Sequence, residues 1–304
     1  MKSSSASTHG RKASFCITQA VEYEIGKQIG TSRVSVYEVS SKKSKEKYAM
    51  KIFPYLNDEV DACFISTARF SPISHPNIIS IVDAQEEVTL QHKNKISKCS
   101  YIVMELAPLG DFTAILGSTH FSQDEKLVRT YFHQLIGAIE FLHSNKIYHL
   151  DIKPDNMLLG KDFNLKLTDF DSSYVVGDEH IRSRGTKHYR AKEVKENRVL
   201  NPAAADIFSA GVCLFVLTAG CLPFLEDDLV EGVNLYQLAQ KQRNLFWDTH
   251  KKLLGDEVHF SLEFKALFLS MIKEDPSERP KIEQIKRSAW YKGPVYSATE
   301  LPKR

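Results

Sequence analysis

The stretch His149-Leu-Asp-Ile-Lys-Pro-Asp-Asn156 gathers a carboxylate, an amine and an amide in one short polar loop. A β-like run comes next, Met157-Leu-Leu159, and then Leu167-Thr-Asp-Phe-Asp171 adds further carboxylates. In-line phosphoryl transfer asks little covalent chemistry of a protein. It needs a group that orients the attacking hydroxyl and metal ions that offset phosphate charge. Ions of the Mg²⁺ type take oxygen ligands. Asp151 can orient the hydroxyl, and Lys153 can neutralise charge on the transferring group. Asn156 and Asp169, brought near by an intervening hairpin, can supply the metal-ligand oxygens.

The elements that must position these groups change character along the chain. Between Tyr23 and Leu106 the segments are short and β-like: Val34-Ser-Val-Tyr-Glu-Val39, Tyr48-Ala-Met-Lys-Ile-Phe53, Ile78-Ile-Ser-Ile-Val82 and Tyr101-Ile-Val-Met-Glu105. One helical stretch interrupts them, around 61–70. Beyond Leu106, apolar residues recur at helical spacing over 125–144, at Leu127, Val128, Tyr131, Phe132, Leu135, Ile136, Ile139 and Leu142. Asn201-Pro202 reads as a helix start before alanines, introducing a helix over about 204–218. A third amphipathic stretch covers 262–272. A small β-rich lobe is thus expected over 22–106 and a larger helical lobe over 107–291. Residues 1–21, polar and without periodicity, are expected to be a disordered tail, and 292–304 a short C-terminal tail.

The polar loop and the Asp-Phe segment after the β-like run resemble the catalytic loop H-R-D-x-K-x-x-N and the D-F-G motif of the eukaryotic protein kinases. Further landmarks run in order from Tyr23 to Tyr291. Ala49-Met-Lys51 resembles the strand lysine that meets the nucleotide's α- and β-phosphates. Met104-Glu-Leu-Ala107 resembles the hinge, with Met104 as gatekeeper. Gly185-Thr-Lys-His-Tyr-Arg-Ala-Lys-Glu193 resembles G-T-x-x-Y-x-A-P-E, and Asp206-Ile-Phe-Ser-Ala-Gly211 resembles D-x-W-S-x-G. Asp275-Pro-Ser-Glu-Arg-Pro280 resembles the site of the arginine that pairs with the A-P-E glutamate.

The resemblance implies a bilobal α+β fold, with a small antiparallel β lobe carrying one main helix, a mostly helical large lobe, and ATP with Mg²⁺ in the cleft. It implies Asp151 and Lys153 as catalytic residues and Asn156 and Asp169 as metal ligands. ATP would meet Ile29, Gly30, Val36, Ala49, Lys51, Met104, Leu158 and backbone groups of Glu105 and Ala107. Asp206 and a buried Glu193–Arg279 pair would be structural. Lys153 and Thr186 fit serine/threonine specificity, and the landmarks together are most similar to the calcium/calmodulin- and AMP-activated-type kinases. Asp111 and Asp155 match positions that hold a substrate arginine three residues before the acceptor. Arg11-Lys-Ala-Ser14 in the tail fits that preference, so Ser14 is an expected autophosphorylation site.

Four departures qualify the resemblance. The phosphate-covering loop, Ile29-Gly-Thr-Ser-Arg-Val-Ser-Val-Tyr37, keeps Gly30 but has Ser32 and Ser35 where glycines are usual, which weakens backbone approach to phosphates. The helix expected to give Lys51 a glutamate partner shows Ser66 at the corresponding interval, with Glu59 and Asp61 the nearest acids. Leu150 stands where an arginine usually binds a phosphorylated activation loop, so phosphorylating Ser172, Ser173, Ser183 or Thr186 is not expected to be the main on-switch. Asp171 replaces the D-F-G glycine. A non-catalytic scaffold of the same fold is the alternative these departures leave.

Bulk properties narrow the partners. Lys plus Arg total 40 and Asp plus Glu total 38, a net charge of +2. That balance points to no nucleic-acid or membrane partner, and protein substrates with Ser/Thr acceptors are expected. The five cysteines form no CxxC cluster, which fits free thiols in a reducing compartment. No apolar signal region opens the chain, and the run 211–217 is too short and punctuated to cross a bilayer. A cytoplasmic or nuclear protein is expected.

Overall fold

The computed structural model describes residues 15–17, 22–31, 33–92, 95–118, 121, 124–179, 185–196, 201–225, 229–230, 233–255 and 259–303. Ser14, Ser32 and Ser183 lie outside the described residues, as does most of the 1–21 tail. The chain divides into two compact units, residues 1–74 with 80–106, and residues 75–79 with 107–304.

The first unit is an antiparallel sheet with one helix. Its elements are β1 (Phe15–Ile17), β2 (Tyr23–Thr31), β3 (Ser35–Ser41), β4 (Lys47–Pro54), α1 (Ala62–Ala68), β5 (Ile81–His92) and β6 (Lys95–Glu105). Strand order is β1-β5-β6-β4-β3-β2. Period-two alternation splits the strands into two faces. Tyr37, Val39, Met50, Ile52, Tyr101 and Val103 form a buried cluster on one face. Residues paired across strands share a face, so Val36, Ala49, Lys51 and Met104 lie on the other, through the pairs Val36↔Lys51 and Ala49↔Met104. Phe53 is on that second face and packs edge-on against Phe64 of α1, with ring centroids 5.8 Å apart.

Two expectations change here. Phe15–Ile17 pair with β5 as a strand, so the tail is not disordered throughout 1–21. The apolar run 78–82 is not one strand. Ile78 bridges in parallel to Leu167, and β5 begins at Ile81 and runs on through polar residues to His92. Apolar content marks neither boundary, because the β5–β6 hairpin is specified by backbone pairing.

The second unit comprises α2 (Phe112–Ser118), α3 (Glu125–Ser144), β7 (Ile147–Tyr148), β8 (Met157–Leu159), β9 (Leu165–Leu167), β10 (Tyr174–Val175), α4 (Lys192–Lys195), α5 (Pro202–Ala219), β11 (Leu229–Val230), β12 (Val233–Asn234), α6 (Leu235–Lys241), α7 (Arg243–Leu254), α8 (Leu262–Met271) and α9 (Ile282–Arg287). Asp124 caps α3 by accepting from Leu127 N–H, and α3 buries Val128, Phe132, Leu135, Ile136, Ile139 and Leu142 along one stripe. α5 starts at an Asn201 cap with Pro202 in its first turn and ends at Gly220, in the left-handed region at φ 71°. It is apolar all round because it is buried all round. Its length and hydropathy match those of a bilayer span, but 89% of it lies inside the unit, which accounts for the composition. Phe215 of α5 meets Phe246, Phe260, Phe264 and Phe268, tying α7 and α8 to it.

Residues 292–303 pack back rather than trail away. Arg129 donates to the carbonyls of Trp290 and Pro294. Tyr296 N–H donates to Thr130, its hydroxyl donates to Asp124, and Leu301 is buried.

Candidate active site

Asp151 and Asn156 sit on the loop between β7 and β8, and the β8–β9 hairpin turns the chain back so that Asp169 comes directly after β9. Pairing Met157 with Leu167, and the Thr168 N–H bond to the Asn156 carbonyl (2.9 Å), bring the backbones of Asn156 and Thr168 together. The sequence interval between Asn156 and Asp169 is therefore the length of one tight hairpin.

Within the loop, Asp151 is held from three directions. Its Oδ1 accepts the Thr186 hydroxyl at 2.6 Å. Its Oδ2 lies 3.2 Å from Lys153 Nζ, and Lys153 also donates to Thr186 Oγ1 at 2.7 Å. Asn156 Nδ2 donates to the Asp151 carbonyl (2.8 Å) and reaches Oδ2 (3.2 Å). With its amide nitrogen so engaged, Asn156 has its amide oxygen for a ligand. In the sequence Thr186 is only a mark of substrate class; its bridge between Asp151 and Lys153 comes from the fold.

A buried scaffold shapes the loop. Asp206, fully buried near the start of α5, accepts Leu150 N–H on Oδ1 (2.8 Å) and His149 N–H on Oδ2 (2.9 Å). The same Oδ2 meets His143 Nε2 at 2.8 Å. Leu150 has φ 60°, a left-handed conformation that a leucine adopts only when its surroundings impose it. Asp206 is what imposes it. His149, whose role the sequence does not disclose, donates Nε2–H to the Thr168 carbonyl (2.9 Å) and accepts Asp151 N–H on Nδ1 (3.3 Å). One neutral tautomer satisfies both bonds and links Asp151 to the strand end before Asp169. Phe170 is buried with its ring centroid 5.2 Å from that of His149. Asp171 lies in the short 3-10 turn Phe170–Ser172, and the left-handed residue is Asp169, at φ 68°.

Gly185 brings the segment carrying Thr186 against the loop. A Cβ at Gly185 would sit 2.6 Å from the Leu150 carbonyl oxygen, and its φ is 60°. The next turn closes on itself, with Tyr189 N–H and Arg190 N–H both bonded to the Thr186 carbonyl (3.0 and 3.2 Å). Ser209 of α5 anchors it by donating to the Tyr189 carbonyl (2.9 Å). Burial first, with the neighbouring Cys213 thiol and Asp155 carboxylate adding to it, pushes the Tyr189 phenol up from its ordinary value of 10.0. Arg279 donates to both Glu193 oxygens (2.5 and 2.9 Å) and to the Ala204 and Lys273 carbonyls, with its side chain 1% exposed.

Asp111 caps α2 by accepting Ala114 N–H (2.8 Å) and bridges to Leu158. Asp155 is exposed, on the turn Pro154–Asn156 that packs against α2. In the first unit Gly30 pairs with Val36, so Gly30, Val36, Ala49 and Met104 fall on one face of the sheet together with Lys51, which is 5% exposed. Ile29 is partly exposed. Glu105 N–H donates to the Ser80 carbonyl (3.0 Å), so an adenine contact at Glu105 falls to its carbonyl. α1, Ala62-Cys-Phe-Ile-Ser-Thr-Ala68, contains no acid. Asp61 caps it through Cys63 N–H and pairs with Arg33 at 2.5 Å, and Glu59 is exposed.

Among the described residues no three His, Cys, Asp or Glu side chains cluster as a metal site. A hard ion such as Mg²⁺ takes oxygen ligands and completes its shell with phosphate oxygens and water. The oriented amide oxygen of Asn156 and the carboxylate of Asp169 fit it.

The protein kinase domain model matches residues 23–291. Curated relatives include CBL-interacting protein kinase 26 of rice (Oryza sativa subsp. japonica), 33% identical over 89% of this chain and 52% of the relative. CBL-interacting protein kinase 11 of rice is 33% identical over 90% of this chain and 52% of the relative. CBL-interacting serine/threonine-protein kinase 26 of Arabidopsis thaliana is 30% identical over 89% of this chain and 59% of the relative. The chain therefore spans only about half to three fifths of the length of these relatives.

Proposed function

Because the chain belongs to the protein kinase domain family, we propose that it transfers the γ-phosphoryl group of ATP to serine and threonine hydroxyls of proteins. The observation that carries this is the contact at Asp151. Its carboxylate accepts a hydroxyl O–H at 2.6 Å beside an ammonium, which is the contact an acceptor serine needs.

In the reaction, Asp151 orients the acceptor hydroxyl and takes its proton as the new oxygen–phosphorus bond forms. The bond from the γ-phosphorus to the bridging oxygen breaks, and ADP leaves. Lys153 neutralises charge on the group in flight. Asn156 and Asp169 would hold Mg²⁺, which when bound would supply charge to offset that of the phosphate oxygens. Lys51 takes the α- and β-phosphates. Ile29, Gly30, Val36, Ala49, Met104 and Leu158, with backbone groups of Glu105 and Ala107, receive the rest of the nucleotide. Asp111 and Asp155 favour an arginine three residues before the acceptor, and the same preference makes Ser14 a candidate for autophosphorylation. A reducing, cytoplasmic setting fits the scattered thiols. The CBL interaction in the relatives' names is a property of those proteins.

A non-catalytic scaffold is the second reading, favoured by the absence of an acid from α1. The test is transfer of radiolabelled phosphate from Mg·ATP to an Arg-x-x-Ser peptide, with phosphoamino-acid analysis of the product. Label on serine, lost in Asp151→Ala, is expected. Incorporation no greater than in that control would leave the scaffold.

A further inference from the structure

The hairpin between β2 and β3 is braced from within and tied from without. Its strands close through the pairs Gly30↔Val36 and Thr31↔Ser35, which leaves Arg33 at the tip. Gln28 Nε2 donates to Thr31 Oγ1 at 2.7 Å and lies 3.4 Å from Ser35 Oγ, and Val34 is buried. From the tip, Arg33 Nη2 donates to Asp61 Oδ1 at 2.5 Å. The same oxygen accepts Cys63 N–H at 2.7 Å, and the Asp61 carbonyl accepts Phe64 N–H (3.0 Å) and Ile65 N–H (3.3 Å). The first turn of α1 thus hangs on the residue that Arg33 holds. α1 then returns to the sheet through Phe64, packed on Phe53, two residues beyond Lys51.

We infer that Arg33 is a positioning residue for the nucleotide: its bond to Asp61 ties the tip of the phosphate-covering hairpin to α1, so that Mg·ATP affinity and the order of α1 depend on each other. This rests on the kinase function proposed above, which assigns the hairpin to the phosphates. α1 contains no acid, and Asp61 at its start supplies the carboxylate that the link needs. The Asp61 side chain is 5% exposed and that of Arg33 is 52% exposed. Withdrawing the cation strands charge in a poorly solvated place, which costs more than an exposed pair yields. Serines at the usual glycine positions make close backbone approach to phosphates harder. A hairpin held in place beforehand offsets that, because less freedom is lost on binding. The coupling is reciprocal: if α1 steadies the hairpin for the nucleotide, bound nucleotide steadies α1.

The test measures Mg·ATP affinity by calorimetry and hydrogen exchange of the α1 amides. Both are read on the full chain and on its Arg33→Ala, Arg33→Lys, Asp61→Asn and combined Arg33→Ala, Asp61→Asn variants. Asparagine caps a helix as well as aspartate does, so Asp61→Asn weakens the tie and spares the cap. Arg33→Ala and Asp61→Asn are each expected to weaken binding about three- to tenfold, with the combined variant no weaker than either alone. Arg33→Lys, whose ammonium can make the same single bond, should recover part of the affinity. Mg·ATP should slow exchange over α1 in the parent and not in Arg33→Ala, a response that a merely structural bond would not carry. Affinities equal to the parent's in both single variants overturn the inference. Weaker binding in Arg33→Ala alone also overturns it and makes Arg33 a direct phosphate ligand. If the parent itself binds no Mg·ATP, the kinase reading fails, and the tie is judged on the nucleotide-free chain. There, faster exchange over α1 in Arg33→Ala upholds the tie and unchanged exchange overturns it.

Discussion

Replacing Asp206 with asparagine keeps the side chain's shape and removes one acceptor oxygen. In the native chain Oδ1 holds Leu150 N–H, while Oδ2 holds His149 N–H and His143 Nε2. An asparagine has one oxygen and one NH₂, so whichever way it turns, a buried backbone N–H faces a donor. An unsatisfied buried donor costs about 1–3 kcal/mol. The bonds that remain lose their charge assistance, which roughly halves their strength. Together these put the loss at about 2–4 kcal/mol. For a cooperative unit of roughly 200 residues each kcal/mol lowers Tm by about 2–4 °C, so Asp206→Asn should melt about 4–16 °C lower. In one orientation Leu150 loses the bond that holds its left-handed backbone, and in the other that bond loses its charge assistance. Asp151 is the next residue, so turnover should fall more than about tenfold even at temperatures where the variant is folded. Thermal unfolding monitored by circular dichroism gives the first number, and steady-state transfer at about 15 °C gives the second. A variant melting within about 2 °C of the parent with undiminished kcat would refute the role given to Asp206.

Three further outcomes come from the same geometry. Gly185→Ala sets a Cβ 2.6 Å from the Leu150 oxygen at positive φ; strain of about 1–3 kcal/mol should lower Tm and kcat, and unchanged values for both would refute the close approach. Arg279→Ala strands the Glu193 carboxylate, 11% exposed, and should cost about 3–5 kcal/mol. Glu193→Gln in the same background should restore part of the loss in a double-mutant cycle, and strict additivity would refute the coupling. Burial, chiefly, lowers the His133 pKa below its ordinary 6.5, with the charges of Arg129 and Lys286 acting the same way against a bond to the Tyr291 carbonyl. The folded chain thus disfavours the proton that the unfolded chain accepts. The stabilisation is complete above about pH 6.5 and is lost as pH falls below it. His75 shifts in the same direction. Tm should drop between about pH 7 and about pH 5.5, less steeply in His133→Gln, and equal slopes would refute the assignment.

How much the sequence disclosed depended on how far apart the cooperating residues lie. Asp151, Lys153 and Asn156 share one loop, and Asp169 is one tight hairpin away, so their types and spacing are readable directly. α3 is legible because a single apolar stripe repeats over 125–144, its extent in the structure. The opposite holds for β5 and β6, whose outer halves are polar and are joined by backbone pairs such as Thr89↔Lys98. Ile78 belongs to an apolar run but pairs with Leu167, far along the chain. The groups that shape the loop are the least visible. Asp206 can be named from a motif, but its bonds to His149 and Leu150 arise only when α5 packs against the loop, and Thr186 meets Asp151 only because Gly185 permits contact with Leu150. The segment after Tyr291 reads as a tail because nothing in its composition signals that Tyr296 bonds to Asp124 and Thr130.

The central claim is that the Asp151 carboxylate, held beside Lys153 and Asn156, acts on the acceptor hydroxyl. The measurement that meets it most directly is Asp151→Asn assayed two ways: kcat for peptide phosphorylation, and Mg·ATP affinity by calorimetry. Loss of a positioned proton acceptor should lower kcat by about 10²–10⁴-fold, with nucleotide affinity changed less than about threefold. Turnover at the parent rate, or no Mg·ATP binding by the parent chain, would contradict it.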